Sequence, residues 1–477
     1  MSRINTNVSS LTAQINLANN QNALSTTLLR LSTGLRINSG ADDPAGLIAS
    51  QGLQSQIAGI NQAVSNSQRA TNVLSTADAA LNEVSNLLDS IKSLVVASAN
   101  TGALSSAEIA ANQLQVDSAV QSITRIANTT TFDGQNLING SLDYITSGVS
   151  TSAISSVQIS QASFGGNPTI PVQLNVITSA QTASLSFKNS AIVSSITLEI
   201  TGNTGVQTLS FTSGTHSSAI AFAVNSISDS TGVTAAEITP GNITSGITFA
   251  STGYGSKSFV SVTAQSGTFA TVDQTGAAED RTTGRDAVAT VNGAVVTGDG
   301  LNLDVNTGSL DMNLTLSNKF GDGQSNFTIT GGGALFQLGG VVNSSQQVDL
   351  GIGSVAASQL GNSDTGFLND IVTGGNSSLV AGKSSNAEQI VEAAISQVAE
   401  LRGRLGAFET NTLDTNVSSL QVALENVTSS ESDITDANFA QETANLTRSQ
   451  ILVQAGTSVL STANSTPQNV LTLLQGH

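Results

Sequence analysis

The chain has 477 residues with no Cys and no Trp; only 10% of its side chains are charged, and its formal net charge is -18. Without Cys there is no disulfide scaffold, no thiolate zinc ligation and no Cys nucleophile. The carboxylate excess argues against nucleic acid or an anionic membrane surface as a partner, since phosphate contacts need clustered Lys and Arg, while the length allows two to four domains.

At the N-terminus Arg3 is followed by no apolar signal-peptide core, so a cleaved secretion signal is not expected. Apolar runs such as Leu94-Val95-Val96-Ala97 are too short to insert into a membrane. By these rules alone the chain belongs inside the cell. Leu24, Leu28, Leu31 and Leu35 follow four-three-four helical spacing until Gly34 and Gly40 interrupt it. Asp43 then reads as a cap and Pro44 as the first helical residue, where its missing N–H costs nothing. Leu53, Ile57, Ile60, Val64, Leu74, Leu81, Leu88, Ile91 and Val95 hold a heptad register to near Asn100. At 1.5 Å per residue that is a coiled-coil rod of about 80 Å. Asn100-Thr101-Gly102 ends it, and Ser105 with Glu108 forms a capping box opening a return helix with the face Ile109, Val116, Val120, Ile123 and Ala127. The short loop between them predicts antiparallel packing.

From about Leu142 to Val380 the pattern changes to short Val, Ile, Thr and Phe runs punctuated by Gly, Asn, Asp and Ser, as in "SITLEITGNTGVQTLSFTSG". That is period-two β-structure with turns. Helical spacing resumes near Ser384. Ser385 and Glu388 read as a second capping box, followed by Val391, Ile395, Val398 and Leu405, then Leu413, Val417, Leu420, Leu424 and Val427. The cluster from Ser429 to Asp433 reads as an interruption, Asp436 to Ala463 as a further helix, and Pro467 as the start of a short amphipathic piece. The expected fold is mixed and discontinuous: a long antiparallel α-helical coiled-coil stalk built from both termini, carrying a β-rich inserted outer region.

Charge is distributed unevenly. Between Ile4 and Leu35 the only charged side chain is Arg30, and after Arg448 no Asp, Glu, Lys or Arg follows. Solvated helices ordinarily carry mixed charge on their outer face. Two readings stand: a short polar antiparallel pair, or helices covered on both faces by other copies of the chain. In a polymer made by one repeated contact, equivalent residues recur along the axis, so neutral amides and hydroxyls avoid stacking like charges. Helices of this kind are marginal alone, which predicts termini that order on assembly.

Catalysis finds little support. His216 and His477 are the only histidines, which leaves no His-Glu-x-x-His zinc site. His216 sits in the turn-like "SGTHSSA". Acidic turns such as "TGDGLNLD" lack calcium-loop spacing, and β-turn chemistry accounts for them.

The stretches "SRINTNVSSLTAQ", "LSTGLRINSGADDPAGL", "TFDGQNLINGS", "LRGRLGAFETNTL", "SLQVALENVTSSESDITDANFAQETANLTRSQILVQAGTSVLSTAN" and "PQNVLTLL" resemble, in order, the signatures of bacterial flagellin, the filament protein. The resemblance implies an inner-tube helix and spoke over 1–43, shell helices over 44–145, a variable outer region over 146–332, a shell β-hairpin and connection over 333–383, a shell helix over 384–432 and an inner-tube helix over 433–477. It assigns the spoke to Gly34, Arg36, Asn38, Asp42, Asp43 and Pro44. It assigns inner-tube packing to Leu11, Ile15, Leu24, Leu28, Leu31, Ile451, Leu452, Val459, Val470, Leu471 and Leu474. It also implies a homopolymer exported without a cleaved signal through the flagellar type III channel. The implied partners are an export chaperone and gate, hook-filament junction proteins and filament-cap proteins; no cofactor is implied.

The family's innate-receptor patch falls on Leu88, Asp89, Ser90, Lys92, Leu94 and Gln115. Here Asp89-Ser90 replaces a Gln-Arg pair, Lys92 replaces a second Arg and Gln115 stands at an acidic position, so receptor activation is expected to be weak. A hook-filament junction protein, a β-rich surface adhesin and a filament-borne enzyme are the competing functions.

Overall fold

The computed structural model describes residues 6–165, 167–239, 241–242, 245–362 and 365–475, with the side chains at 467 and 469–475 outside the description. In chain order the helices are α1 (Val8–Thr33), α2 (Pro44–Ala99), α3 (Ser106–Thr129), α4 (Ser217–Asn225), the single turn α5 (Ser228–Thr231), α6 (Ser384–Phe408), α7 (Thr415–Thr435) and α8 (Phe439–Gln475). A π-helical turn over Glu409–Asp414 precedes α7. Helices therefore occupy both ends of the chain and strands its middle, as the periodicity predicts.

The chain divides into two compact units: residues 67–337 with 343–414, and residues up to 66 with 338–342 and from 415 onward. In the first, the later part of α2 packs with α3 and α6. Leu74, Leu81, Leu88, Ile91, Val116, Ile123, Val391, Val398 and Leu405, apolar positions read from the sequence, are buried. Polar contacts fix the directions. Asn112 Nδ2 donates to Ser98 Oγ at 3.1 Å near the α2–α3 turn, and Arg69 pairs with Asp133 at the far end, so α3 returns antiparallel to α2. Lys92–Glu392 at 2.9 Å and Arg402–Asp78 at 2.8 Å set α6 antiparallel to α2 as well. The Ser105–Glu108 capping box forms in both directions.

The second expected box does not form. Lys383 is the N-cap of α6, and Ser385 already lies inside the helix. Gly382, in the left-handed region at φ 72°, turns the chain into the helix earlier than the Ser-x-x-Glu spacing indicates.

The β-rich middle holds two cores. The first joins a three-stranded antiparallel sheet (Asn302–Asn306, Leu310–Leu316, Ile154–Ala162) to a five-stranded one centred on Ile170–Thr178, with Leu174, Leu303, Met312, Leu314 and Ile329 inside. The second is a three-stranded and a four-stranded sheet closed by α4 around Phe187, Phe249 and Phe269, with Phe187 and Phe269 stacked at 4.0 Å. Strand Leu310–Leu316 alternates buried and half-buried residues without exception, the period-two signature in space. Helix α4 departs from the all-strand reading. Its run Ala219-Ile220-Ala221-Phe222-Ala223-Val224 is too short for periodicity to separate helix from strand. His216 is exposed and stands as the N-cap of α4 without a side-chain cap bond.

Three carboxylates of the first core sit where burial disfavours their charge. Desolvation pushes the Asp143, Asp311 and Asp349 carboxyls up, opposed at Asp143 by a hydrogen bond from Tyr144 N and the Arg404 charge, and at Asp311 by the Arg404 charge. Asp349 has no such compensation. A raised folded-state pKa means that ionisation opposes folding: the penalty is complete at neutral pH and lifts as pH falls through the raised value. Asp349→Asn is therefore expected to raise the melting temperature by about 1–2 °C at pH 7 and by nothing measurable near pH 4, followed by thermal denaturation at both values.

Candidate functional site

In the second unit both ends of the chain break their helices at one place. Helix α1 stops at Gly34, whose left-handed φ of 75° lets its N–H reach back to Arg30 O at 2.9 Å. The chain then runs antiparallel to the segment that follows α7. Arg36 N donates to Thr435 O at 2.6 Å, Ala437 N donates to Gly34 O at 2.9 Å, and Leu35 bridges Asp436. Arg36 Nη2 adds a bond to Ile434 O at 2.6 Å, and Arg36 Nη1 lies 3.8 Å from Asp43 Oδ2.

The rest of the predicted spoke folds on itself. Asp42 Oδ2 accepts from Asn38 N at 3.1 Å, Ser39 N at 2.8 Å and Ser39 Oγ at 3.0 Å. The Ser39 bonds, then the Asn38 bond, hold its carboxyl below the usual range. Asn38 Nδ2 donates to Leu35 O at 2.9 Å. Asp43 Oδ1 accepts from Gly46 N at 2.9 Å, capping α2 with Pro44 as its first residue, as expected. The chain packs closely at Gly46: a Cβ there would lie 2.6 Å from Ile37 Cδ1 and 2.5 Å from Asp43 Oδ2, so those side-chain ends would have to shift. Of the two glycines read as turn-formers, only Gly34 uses a left-handed conformation.

On the other strand of this junction, the expected interruption at Ser429–Asp433 does not occur. Helix α7 continues to Thr435, and Ser430 Oγ bonds back to Asn426 O at 2.8 Å, so this serine is satisfied without breaking the helix. The break falls at Asp436–Asn438, where Asn438 Oδ1 accepts from Gln441 N at 3.1 Å and caps α8. Pro467 likewise opens no separate piece; α8 runs through it.

Beyond the junction α1 and α8 lie antiparallel. Arg30 Nη1 meets Glu442 Oε1 at 3.4 Å at one end, and Ser10 Oγ donates to Asn464 Oδ1 at 2.6 Å at the other. Midway, a Cβ on Gly456 would stand 3.2 Å from Leu17 Cδ1. The pair buries little: Ser10, Ala13 and Thr27 are the buried residues of α1. Leu11 (56% exposed), Ile15 (55%), Ile451 (63%) and Val459 (58%) face outward with Leu28 and Leu452, while Leu24 and Leu31 are half-buried. The side chains of Val470, Leu471 and Leu474 lie outside the description. These outward apolar side chains lie on helices that carry few charges.

Elsewhere, Leu88 of the expected receptor patch is wholly buried in the α2–α3–α6 bundle. Asp89, Ser90 and Gln115 are exposed, Leu94 is half-buried and Lys92 is paired with Glu392. Among the described residues no group of three or more His, Asp or Glu side chains is placed to hold a metal ion, and no helix is long and apolar enough to cross a membrane. The Arg30–Glu442 pair escaped the sequence reading, although the isolated charge at Arg30 marked one end of it.

The two ends of the chain match known proteins. The family description "Bacterial flagellin N-terminal helical region" matches residues 4–143 and "Bacterial flagellin C-terminal helical region" residues 389–474. The B-type flagellin of Pseudomonas aeruginosa is 30% identical, with 99% of each chain covered. The chain belongs to the bacterial flagellin family. The flagellin of Salmonella typhimurium is also 30% identical over 99% of both chains. Among solved structures, the D2-D3 domains of the flagellar cap protein from Escherichia coli are similar at 18% identity and a TM-score of 0.28, covering 39% of this chain and 97% of that one. As a flagellin the chain is a structural subunit, not an enzyme, and self-assembles into the extracellular flagellar filament that drives swimming.

Proposed function

We propose that α1 and α8 form the inner wall of the filament tube, where equivalent helices of neighbouring copies cover Leu11, Ile15, Leu28, Ile451, Leu452 and Val459, with Leu24, Leu31, Val470, Leu471 and Leu474 in the same packing. The observation that carries this is the outward apolar row on helices with so few charges. In this reading 1–43 supply the inner helix and the spoke, and 44–145, 333–383 and 384–432 supply the shell. Residues 146–332 are the outer region, and 433–477 are the second inner helix. Gly34, Arg36, Asn38, Asp42, Asp43 and Pro44 act as a stiff connector because their polar groups are satisfied locally. Export without a cleaved signal, a chaperone holding the termini before assembly, and junction and cap proteins at the filament ends complete the reading. The test is addition of filament seeds to purified chain: polymer should pellet, with α1 and α8 protected from protease in the pellet and cleaved in the monomer. Termini equally protected in a chain that stays monomeric would overturn it.

A second, narrower reading concerns the vertebrate receptor for flagellin. With Leu88 buried, Asp89-Ser90 at the surface and Lys92 engaged by Glu392, the patch lacks a free central Arg. A receptor reporter assay is expected to show potency lower by at least about tenfold than a strongly stimulatory flagellin, and equal potency would refute the reading.

A further inference from the structure

Pro467 lies inside α8, and a proline has no N–H to give to the carbonyl four residues earlier. That carbonyl belongs to Ala463. It is met from α1: Asn7 Nδ2 donates to Ala463 O at 2.8 Å. The other end of the same amide, Asn7 Oδ1, accepts from Ser10 N at 3.0 Å and caps α1. Ser10 Oγ in turn donates to Asn464 Oδ1 at 2.6 Å. One side chain thus satisfies an open donor at the start of α1 and an open acceptor in the middle of α8.

We propose that Asn7 and Pro467 form a matched clamp that fixes the register of α1 on α8. Apart from Leu17 beside Gly456 and the Arg30–Glu442 pair, the sequences of both helices are rich in small residues, amides and hydroxyls. A slip of one helical turn would leave much of that packing available. Pro467 is the only proline in α8, so it creates one uncommitted carbonyl at one height. In any other register the Ala463 carbonyl loses its donor and the Asn7 amide its acceptor, and unmet polar groups are costly. The clamp acts at the end of the pair opposite Arg30–Glu442, so the pair is pinned at both ends. This inference rests on the filament reading only in so far as the polymer is the state in which the helices are fully covered.

Asn7→Ser separates the clamp from the cap, because Ser still caps a helix but is too short to reach Ala463. Pro467→Ala gives Ala463 O an intrahelical donor and makes the Asn7 amide redundant. Hydrogen exchange of peptides covering residues 458–466 is read on the full chain, in both pellet and supernatant of a seeded sample. Asn7→Ser is expected to speed exchange by about fivefold, and to do so far less in the Pro467→Ala background. No change with Asn7→Ser in either fraction, or an equal change in both backgrounds, overturns the clamp. Failure of the filament reading would show separately, as an unsubstituted chain that gives no pellet; the soluble chain then decides by the same comparison.

Discussion

Chains lacking residues 1–40 or 436–477 are expected to lose seeded polymerisation altogether while the unit built on α3, α6 and the β sheets melts as before. Either truncation removes one helix of the α1–α8 pair and exposes what little its partner buries. The outward residues Leu11, Ile15, Leu28, Ile451, Leu452 and Val459 are divided between the two helices, so neither can supply the covered surface alone. Burying a large aliphatic side chain is worth roughly 1.5–3 kcal/mol. Losing even two or three such contacts per subunit raises the critical concentration by more than about a hundredfold. The core of Leu81, Leu88, Ile123 and Val398 involves none of the deleted residues, so its unfolding transition serves as the control. Sedimentation with seeds measures the first quantity and circular dichroism the second. Truncated chains that pellet like the full chain would remove α1 and α8 from the assembly mechanism.

What the sequence made legible divides along a physical line. Local rules held where the residues that decide are neighbours. Asp43 and Pro44 start α2, Ser105 and Glu108 start α3, and the heptad row from Leu74 to Val95 is buried. They failed where a neighbour outside the motif took control. Gly382 starts α6 before the Ser385–Glu388 pair can act, and Asn438 caps α8 several residues after the serine cluster that looked like a break. Helix α4 lay hidden because six apolar residues in a row carry no phase. The junction was half legible. Gly34 and the acidic pair could be read, but Arg36 reaching Ile434 spans nearly the whole chain, and no periodicity carries that information. The charge pattern did carry it in a coarser form: α1, with Arg30 its one charged side chain, and α8, uncharged after Arg448, leave several apolar side chains uncovered in a single chain.

Substituting Arg30 by Ala is expected to weaken assembly by about a hundredfold, and pairing it with a second substitution to restore most of the loss. The Glu442 side chain is only 9% exposed and Arg30 is its ion-pair partner at 3.4 Å. Removing the guanidinium strands a buried carboxylate, and breaking a buried pair from one side costs about 3 kcal/mol or more. The pair is not fully satisfied to begin with: Arg30 Nε and Glu442 Oε2 are both buried without a hydrogen-bond partner. A half-satisfied pair gives back little for its desolvation, so Arg30→Met with Glu442→Leu should assemble within about 1 kcal/mol of the parent. Recovery should stop short of complete, because Glu442 sits in the first turn of α8, where a carboxylate favours the helix by roughly 0.5 kcal/mol. Critical concentrations of the parent, Arg30→Ala and the double variant measure all three terms. A double variant as defective as Arg30→Ala would mean that the charges themselves are needed in the polymer, with a neighbouring chain supplying what the single chain leaves unmet.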